Sequence, residues 1–553
     1  MEENEIEVLS SGDNLEEVNQ ILQRFLKNNE RVFNFPNLKE CNKRVLVWTA
    51  LFQHLQTKSS APVHALCLAS IRVLSRDKSD LENLICERWI TTLIERAGLY
   101  NYEGLDEESM IPLDLIEKDV AMEAIKCLCN LTFNSEVARA LCAHTSIAQG
   151  LIARIRIYKD IPFKEEIMLF DMKLLFILTA LRKDIKSKIK EELHGMEYLT
   201  NCLDEILSEA STKAEDQASS SSGLVEGAHQ YLLQDNQQGI ICEILKTQFN
   251  LILQSGSEEP ADEVEEAMYL KLMPVVTTLL YAHTSNEETL MDLRSNIANL
   301  LTSVPPMFYT YLTPMLNKGE KAQYEFDGRN MDALQSLLLL LQYRLNVTTN
   351  TKNQYENLSP ILTVFNKSSR GCRSQRKYLR QVVLPPLRDV SRPPEKGNAL
   401  RNQLCRLLTT PVTSVRDLVA EFLFILCKEK VGRMVKYTGF GNAAGHLAQK
   451  GLLSGGRGAQ YSSSSDDSDT EEYLEAQPHI DPVVGCTRPP RVNPFDGMTE
   501  EQKEYEAMKL VNLFDKMVSD GVMKPARIGP DGRPQPVDHV MELREHPPNR
   551  QQS

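Results

Sequence analysis

The chain has 553 residues, 42% of them hydrophobic and 25% charged, an ordinary balance for a folded protein and a length well past the point at which one hydrophobic core stops growing. Lys plus Arg number 62 against 76 Asp plus Glu, a formal net charge of −14. That charge argues against bulk nucleic-acid binding, which needs a basic footprint, and the length leaves several domains or one elongated repeat array.

The chain opens Met1-Glu2-Glu3-Asn4-Glu5, without the basic start and apolar run of a signal peptide. Apolar runs such as Leu337–Leu341 are far too short to span a bilayer. A cytoplasmic protein is expected. The 12 Cys are scattered, and Cys67, Cys127, Cys129, Cys242, Cys405 and Cys427 lie inside apolar helical segments. Cys127 and Cys129 form a C-x-C pair with no nearby His or second pair, which disfavours zinc. Reduced thiols acting as small core hydrophobes are the better reading. No metal or cofactor is expected.

Several helical segments end in a common signature: an apolar stretch, a Leu or small residue, Asn or Arg, then often Leu. They include Val73-Leu74-Ser75-Arg76, Cys127-Leu128-Cys129-Asn130-Leu131, Thr247-Gln248-Phe249-Asn250-Leu251, Asn296-Ile297-Ala298-Asn299-Leu300, Thr363-Val364-Phe365-Asn366 and Gln403-Leu404-Cys405-Arg406-Leu407, with a weaker copy at Ile177–Leu181. The markers fall at positions 76, 130, 180, 250, 299, 366 and 406. Armadillo and HEAT repeats run roughly 40–47 residues. The two widest gaps hold insertions near 208–227, with Ser219–Gly223, and near 317–329. In Phe170–Leu178 the apolar side is nearly continuous, as in a helix packed on both sides. Strand signals are poor. The spacing predicts an all-α, armadillo/HEAT-like superhelix over residues 1–450, whose stacked helix pairs leave a long concave face open. An Asn repeated at one helical position would line that face, because its amide both donates and accepts. Each Asn alone could equally cap its own helix.

A basic stretch stands out further on: Lys367, Arg370, Arg373, Arg376, Lys377, Arg380, Arg388 and Arg392, interrupted by the single Asp389. It reads as a surface for an acidic partner or a phosphorylated segment, or else as a solvated helix face. The glycines of Thr438–Gly445 and Gly451–Gly458 lack the spacing of either phosphate-binding fingerprint, and turns at helix ends fit them better.

Residues 451–497 read as a flexible Gly, Ser and acidic linker. Within it Ser463 and Ser468 each have an acid three positions on, Asp466 and Glu471, the pattern an acidophilic casein-type kinase favours. A helix is predicted over 498–520. Thr499 is its N-cap with Gln502 three residues on, and Met508, Val511, Leu513, Phe514 and Met517 form an apolar stripe. Such a helix docks on the array or on a partner. The tail, 521–553, is Pro- and charge-rich and expected to be disordered.

The sequence resembles the synembryn family. The residues that carry the resemblance are Ile71–Asp77, Ile125–Asn130, Val383–Val390, Ala420–Phe424, Lys436–Gly439 with Gly441–Gly445, and Gly497–Glu504. They spread from about residue 70 to 520; the first fifty residues and the tail match poorly. The acidic linker departs from the family pattern, with four serines, Ser462–Ser465, where acids would stand. The resemblance implies a chaperone and guanine-nucleotide exchange factor for heterotrimeric G-protein α subunits (Gα). It implies that the Gα C-terminal helix lies in the concave groove and that the helix beyond the array contacts the nucleotide-binding domain. It also places the family's casein-kinase-type sites at Ser463 and Ser468. Arg72, Arg76, Lys126, Asn130, Asn250 and Asn299 are then the groove candidates, the last two resting on the repeat spacing alone. Such a protein acts by binding and is not an enzyme; it would reach the cell cortex through Gα. The alternative is an armadillo-type adaptor that binds peptides without affecting nucleotide release. An enzyme would need clustered acids, bases or metal ligands, and the 10 His show no such pairing.

Overall fold

The computed structural model describes residues 1–12, 14–39, 42–99, 117–161, 163–218, 231–253, 259–348, 351–453, 469–488, 495, 497–522, 526–528 and 534–536. The candidate phosphorylation sites Ser463 and Ser468 lie outside them. Two compact units are present: residues 1–477 with 482–486, and residues 478–481 with 487–553.

The first unit is built from helices α1 (Glu3–Ser11), α2 (Leu15–Asn28), α3 (Pro36–Lys39), α4 (Lys43–Gln56), α5 (His64–Leu74), α6 (Leu81–Leu84), α7 (Glu87–Arg96), α8 (Lys118–Asn134), α9 (Glu136–Ala143), α10 (Ile147–Arg156), α11 (Lys164–Leu181) and α12 (Lys183–Ser187). It continues with α13 (Gly195–Ala218), α14 (Asp235–Ile252), α15 (Glu263–Tyr281), α16 (Glu287–Ser303), α17 (Asp332–Val347), α18 (Gln354–Gly371), α19 (Arg373–Val383), α20 (Leu400–Leu407), α21 (Thr413–Leu426), α22 (Val431–Thr438), α23 (Phe440–Gln449) and α24 (Glu471–Ala476). The expected insertion near 317–329 holds a two-residue hairpin, β1 (Glu325–Phe326) with β2 (Arg329–Asn330). The one near 208–227 begins as helix, because α13 runs through to Ala218.

These helices form two rows. In the inner row α5 packs on α8, α8 on α11, α11 on α14, α14 on α16, α16 on α18 and α18 on α21. In the outer row α10 packs on α13, α13 on α15 and α15 on α17. A helix flanked on both sides must be apolar on both sides. In α11 that requirement is met by buried Ile167, Met168, Met172, Leu174, Leu175 and Leu178, each worth about 1.5–3 kcal/mol when fully withdrawn from water. The markers Asn130, Ala180, Asn250, Asn299 and Asn366 fall on successive inner helices. Arg406 does not: it sits on α20, which packs on the next inner helix, α21.

Short polar residues set the helix boundaries. Ser135 ends α8 and starts α9: its Oγ accepts from Ala138 N at 3.0 Å and donates to Glu82 Oε2 at 2.6 Å. Asn14, Asp262 and Asn286 cap α2, α15 and α16 in the same way, each worth about 1 kcal/mol.

Packing on the array continues beyond residue 450. The segment 482–486 returns to the α22–α23 junction, where Phe440 N donates to Pro482 O and Gly441 N to Val483 O, both at 2.9 Å. Gly439 and Gly485 have φ of 75° and 77°. A Cβ on Gly485 would fall 2.9 Å from Pro394 Cγ and 3.0 Å from Gly439 Cα, so neither strand of this clasp tolerates a side chain at the crossing. Upstream, Lys436 pairs with Asp469 and its ammonium lies 4.2 Å from the Tyr473 ring centroid. Thr470 donates to Leu387 O and caps α24.

The second unit contains α25 (Glu500–Ser519) and a two-stranded ladder of Ala526–Ile528 with Pro534–Pro536. Thr499 and Gln502 form a reciprocal capping box: Gln502 N donates to Thr499 Oγ1 at 3.3 Å and Thr499 N to Gln502 Oε1 at 3.1 Å. Tyr505, Met508, Leu510 and Leu513 are exposed on α25.

Candidate functional site

The surface left open by the inner row is the place to look for a partner, because inner helices bury three sides and leave one. On α8 that side carries Glu123, Lys126 and Asn130, all half-buried. On α14 it carries Glu243, Lys246 and Asn250 at the same spacing, also half-buried. In each helix the lysine pairs with the glutamate three residues before it, at 2.9 Å for Lys126–Glu123 and 3.0 Å for Lys246–Glu243. The repeated pattern Glu-x-x-Lys-x-x-x-Asn is readable in the sequence, but Glu123, Glu243 and Lys246 were not among the expected site residues. A search for matched spacings around the Asn markers would have found them.

Four expected residues meet at the α5–α8 seam. Arg72 donates from Nε to Glu123 Oε2 at 2.7 Å, so Glu123 is held between Arg72 and Lys126. Asn130 donates from Nδ2 to Arg72 O at 3.1 Å and to Ser75 Oγ at 3.4 Å. Arg76 reaches back to the loop after α2, donating to Glu30 O at 2.8 Å, with its guanidinium 5.4 Å from the centroid of the exposed Phe33 ring. Burial, then repulsion from Arg72, lowers the Arg76 pKa, while Glu30 opposes the shift.

Asn250 repeats the Asn130 geometry two inner helices further on. Its Nδ2 donates to Phe176 O at 3.3 Å and to Thr179 Oγ1 at 3.1 Å on α11. The two amides thus stitch one inner helix to the C-terminal turn of the one before it, and each leaves its Oδ1 without a donor among the described residues. Asn299 on α16 is half-buried, and its side chain makes no hydrogen bond among the described residues. The donor ends of Asn130 and Asn250 thus serve the array itself.

Between these two seams α11 presents Phe170, Lys173 and Phe176. Lys126 and Lys173 lie 5.1 and 5.0 Å from the Phe170 centroid, and Lys246 lies 5.8 Å from that of Phe176. The face therefore alternates aromatic rings with cations, the pairing that suits an apolar peptide with a terminal carboxylate. Within the apolar run Phe170–Leu178, Phe170 and Phe176 are half-buried on this face.

The basic stretch at 367–392 is partly spent on the fold. Lys367 donates to Thr302 O at 2.7 Å and Val304 O at 3.0 Å, closing the end of α16. Arg376 donates to Ser369 O at 2.7 Å, and Arg370 pairs with Glu421. Arg380 instead joins Arg433 and Lys436 in a local positive field: all three lower the pKa of the Cys427 thiol, which burial pushes up to about 12. Asp469 sits in that field. Among the described residues no three His, Cys, Asp or Glu side chains are grouped so as to hold a metal ion.

The chain matches the family model described as guanine nucleotide exchange factor synembryn over residues 67–533. It is 39% identical over 539 residues to Chaperone Ric-8A of Gallus gallus, covering 97% of this chain and 96% of that one. It is 36% identical over 575 residues to Chaperone Ric-8 of Drosophila melanogaster, covering 96% of each. A chain solved in work on a phosphorylation switch between cadherin and beta-catenin aligns with a TM-score of 0.49 at 12% identity, over 83% of this chain and 73% of that one.

Proposed function

This chain belongs to the synembryn family, and from that premise we propose that the face formed by α5, α8, α11 and α14 holds the C-terminal helix of a heterotrimeric G-protein α subunit. The protein is a chaperone and guanine-nucleotide exchange factor for Gα that works by binding, with no reacting residue of its own. The observation that supports the groove assignment is the doubled Glu-x-x-Lys-x-x-x-Asn row flanking Phe170 and Phe176. Arg72, Arg76, Lys126, Asn130, Asn250 and Asn299 are its polar contacts, to which Lys173 and Lys246 are added.

An exchange factor of this kind needs only differential affinity. If it binds nucleotide-free Gα more tightly than GDP-bound Gα, it shifts that equilibrium by the ratio of the two affinities, about tenfold for each 1.4 kcal/mol. Holding the C-terminal helix away from the rest of Gα supplies such a difference, because that helix leaves contacts that support the nucleotide pocket. The exposed Tyr505, Met508 and Leu513 on α25 are read as a second contact, on the nucleotide-binding domain.

We read Ser463 and Ser468 as targets of an acidophilic casein-type kinase, with Arg380, Arg433 and Lys436 as the cations that would receive the phosphates. The protein is read as cytoplasmic, reaching the cell cortex through Gα.

Timing GDP release from loaded Gα subunits with and without the purified protein tests the central reading. Acceleration with at least one Gα class, and recovery of active Gα when the protein is present during Gα folding, are expected. Neither effect with any class would sink it. Peptide binding without any change in release would instead make the protein an armadillo-type adaptor.

A further inference from the structure

Residues 384–399, between α19 and α20, form neither helix nor strand, yet the loop is anchored along its length. Leu384, Leu387 and Val390 are buried. Leu387 O accepts from Thr470, the N-cap of α24. Pro394 O accepts from Asn402 Nδ2 at 2.7 Å, and Arg406 donates to Glu395 O and Gly397 O at 2.9 and 2.8 Å. Around the buried Val390, the side chains of Arg388, Asp389, Ser391 and Arg392 are exposed.

Asp389 and Ser391 close this stretch on itself. Asp389 Oδ1 accepts from Ser391 N at 2.9 Å and from Ser391 Oγ at 2.6 Å, the local turn that Asp forms with backbone two residues on. The Ser391 hydroxyl and amide, then Arg392 and Arg401, hold the Asp389 carboxyl below its ordinary range, so it is ionised at neutral pH. Arg388 makes no ion pair or side-chain hydrogen bond among the described residues. Ser391 therefore stands in a surface loop with an uncommitted cation three residues before it and another directly after it. A catalytic cleft lined with carboxylates takes hold of such a segment by those two cations. Other hydroxyls at the same distance from an arginine are placed differently. Ser75, after Arg72, is buried. Thr91, after Arg88, lies inside α7. Thr409 follows Arg406, whose guanidinium is already spent on the loop carbonyls.

We propose that Ser391 is a phosphorylation site for a basophilic protein kinase, and that its phosphate opens the Asp389 turn and loosens the anchor of α24. In the transfer Ser391 Oγ attacks the γ-phosphorus of ATP, the bond from that phosphorus to the β–γ bridging oxygen breaks, ADP leaves, and the hydroxyl proton passes to the kinase's base. The modified Oγ has no proton to give Asp389, and about −1.5 to −2 charges then stand beside a carboxylate. The phosphate turns to Arg388 and Arg392 instead, which draws the chain on both sides of Val390 out of the turn. Leu387, just ahead of Arg388, carries the carbonyl to which Thr470 donates, so the contact at the start of α24 weakens with it.

The test incubates the full chain with ATP and two purified basophilic kinases in turn, one cyclic-nucleotide-dependent and one calmodulin-dependent, and maps phosphate by mass spectrometry. Phosphate on Ser391 is expected with at least one of them, and its incorporation is expected to slow about tenfold in Arg388→Ala. Hydrogen exchange then compares modified with unmodified protein. Amides within 387–394 and 470–474 are expected to exchange about fivefold faster after modification, as for the loss of roughly one hydrogen bond. Ser391→Ala treated in the same way is expected to keep the slow exchange. No phosphate on Ser391 from either kinase overturns the inference. So does phosphate there with unchanged exchange in 470–474, or faster exchange that persists in Ser391→Ala.

Discussion

Arg154 and Asp171 form an ion pair from which water is excluded: Nε and Oδ2 are 2.9 Å apart, and the side chains are 0% and 1% exposed. The pair ties α10 to α11, and Arg154 Nη1 also donates to Ala97 O at 2.9 Å, just after α7. Burial pushes the Asp171 pKa up to about 6, and Arg154 opposes the shift. The folded-state value thus exceeds the unfolded one, near 3.9. Its stabilising contribution is complete below about pH 4 and is lost as pH rises through about 6.

Arg154→Met removes the opposing charge, so the Asp171 pKa rises further. The variant is expected to be less stable than the parent by about 3–5 kcal/mol at neutral pH. The deficit should grow from pH 6 to pH 8, where only the variant still carries the extra proton in its folded state. Replacing both residues, Arg154→Met with Asp171→Leu, should recover most of the loss. Urea unfolding at several pH values measures this, and a deficit independent of pH would contradict the argument.

Asn130 and Asn250 separate structure from binding. Both amides bridge neighbouring inner helices, so Asn130→Ala and Asn250→Ala should each cost about 1 kcal/mol of stability. Arg76→Ala combined with Asn130→Ala should in addition weaken binding of a Gα C-terminal peptide by about tenfold or more. Calorimetric titration with a fixed peptide reads this directly, and an unchanged affinity would move the groove elsewhere.

Phosphorylation of the acidic linker should raise thermal stability. Treatment with a casein-type kinase is expected to shift the melting curve upward, by an amount on the order of 1–2 kcal/mol in stability. Ser463→Ala with Ser468→Ala should abolish the shift, and Arg433→Ala with Lys436→Ala should reduce it. A shift that survives the serine changes would assign it to another site.

Much of this was legible in the chain, because the inner helices are flanked on both sides and so write an unusually continuous apolar pattern, as in Phe170–Leu178. The asparagine markers were visible for the same reason: a helix buried on three sides leaves few positions where a polar residue survives. Arg406 misled because a helix outside the inner row can carry the same local word, and only packing partners distinguish α20 from α21. The Arg154–Asp171 pair could not be read, since neither residue signals burial and they meet only when α10 folds onto α11.

The clasp at Gly439 and Gly485, with Lys436–Asp469 and Thr470–Leu387 upstream, has a consequence for the residues between α23 and α24. The described residues on either side of 454–468 both belong to the first unit: Leu452 N donates to Leu447 O at 2.8 Å, and Asp469 pairs with Lys436. On the proposed reading, a phosphate on Ser463 or Ser468 would meet Arg380, Arg433 and Lys436 at an effective concentration in the millimolar range or above, set by the length of chain between those two points rather than by protein concentration. Capture of such a phosphate would then be intramolecular and independent of dilution, which separates it from docking of a second molecule on the same cations.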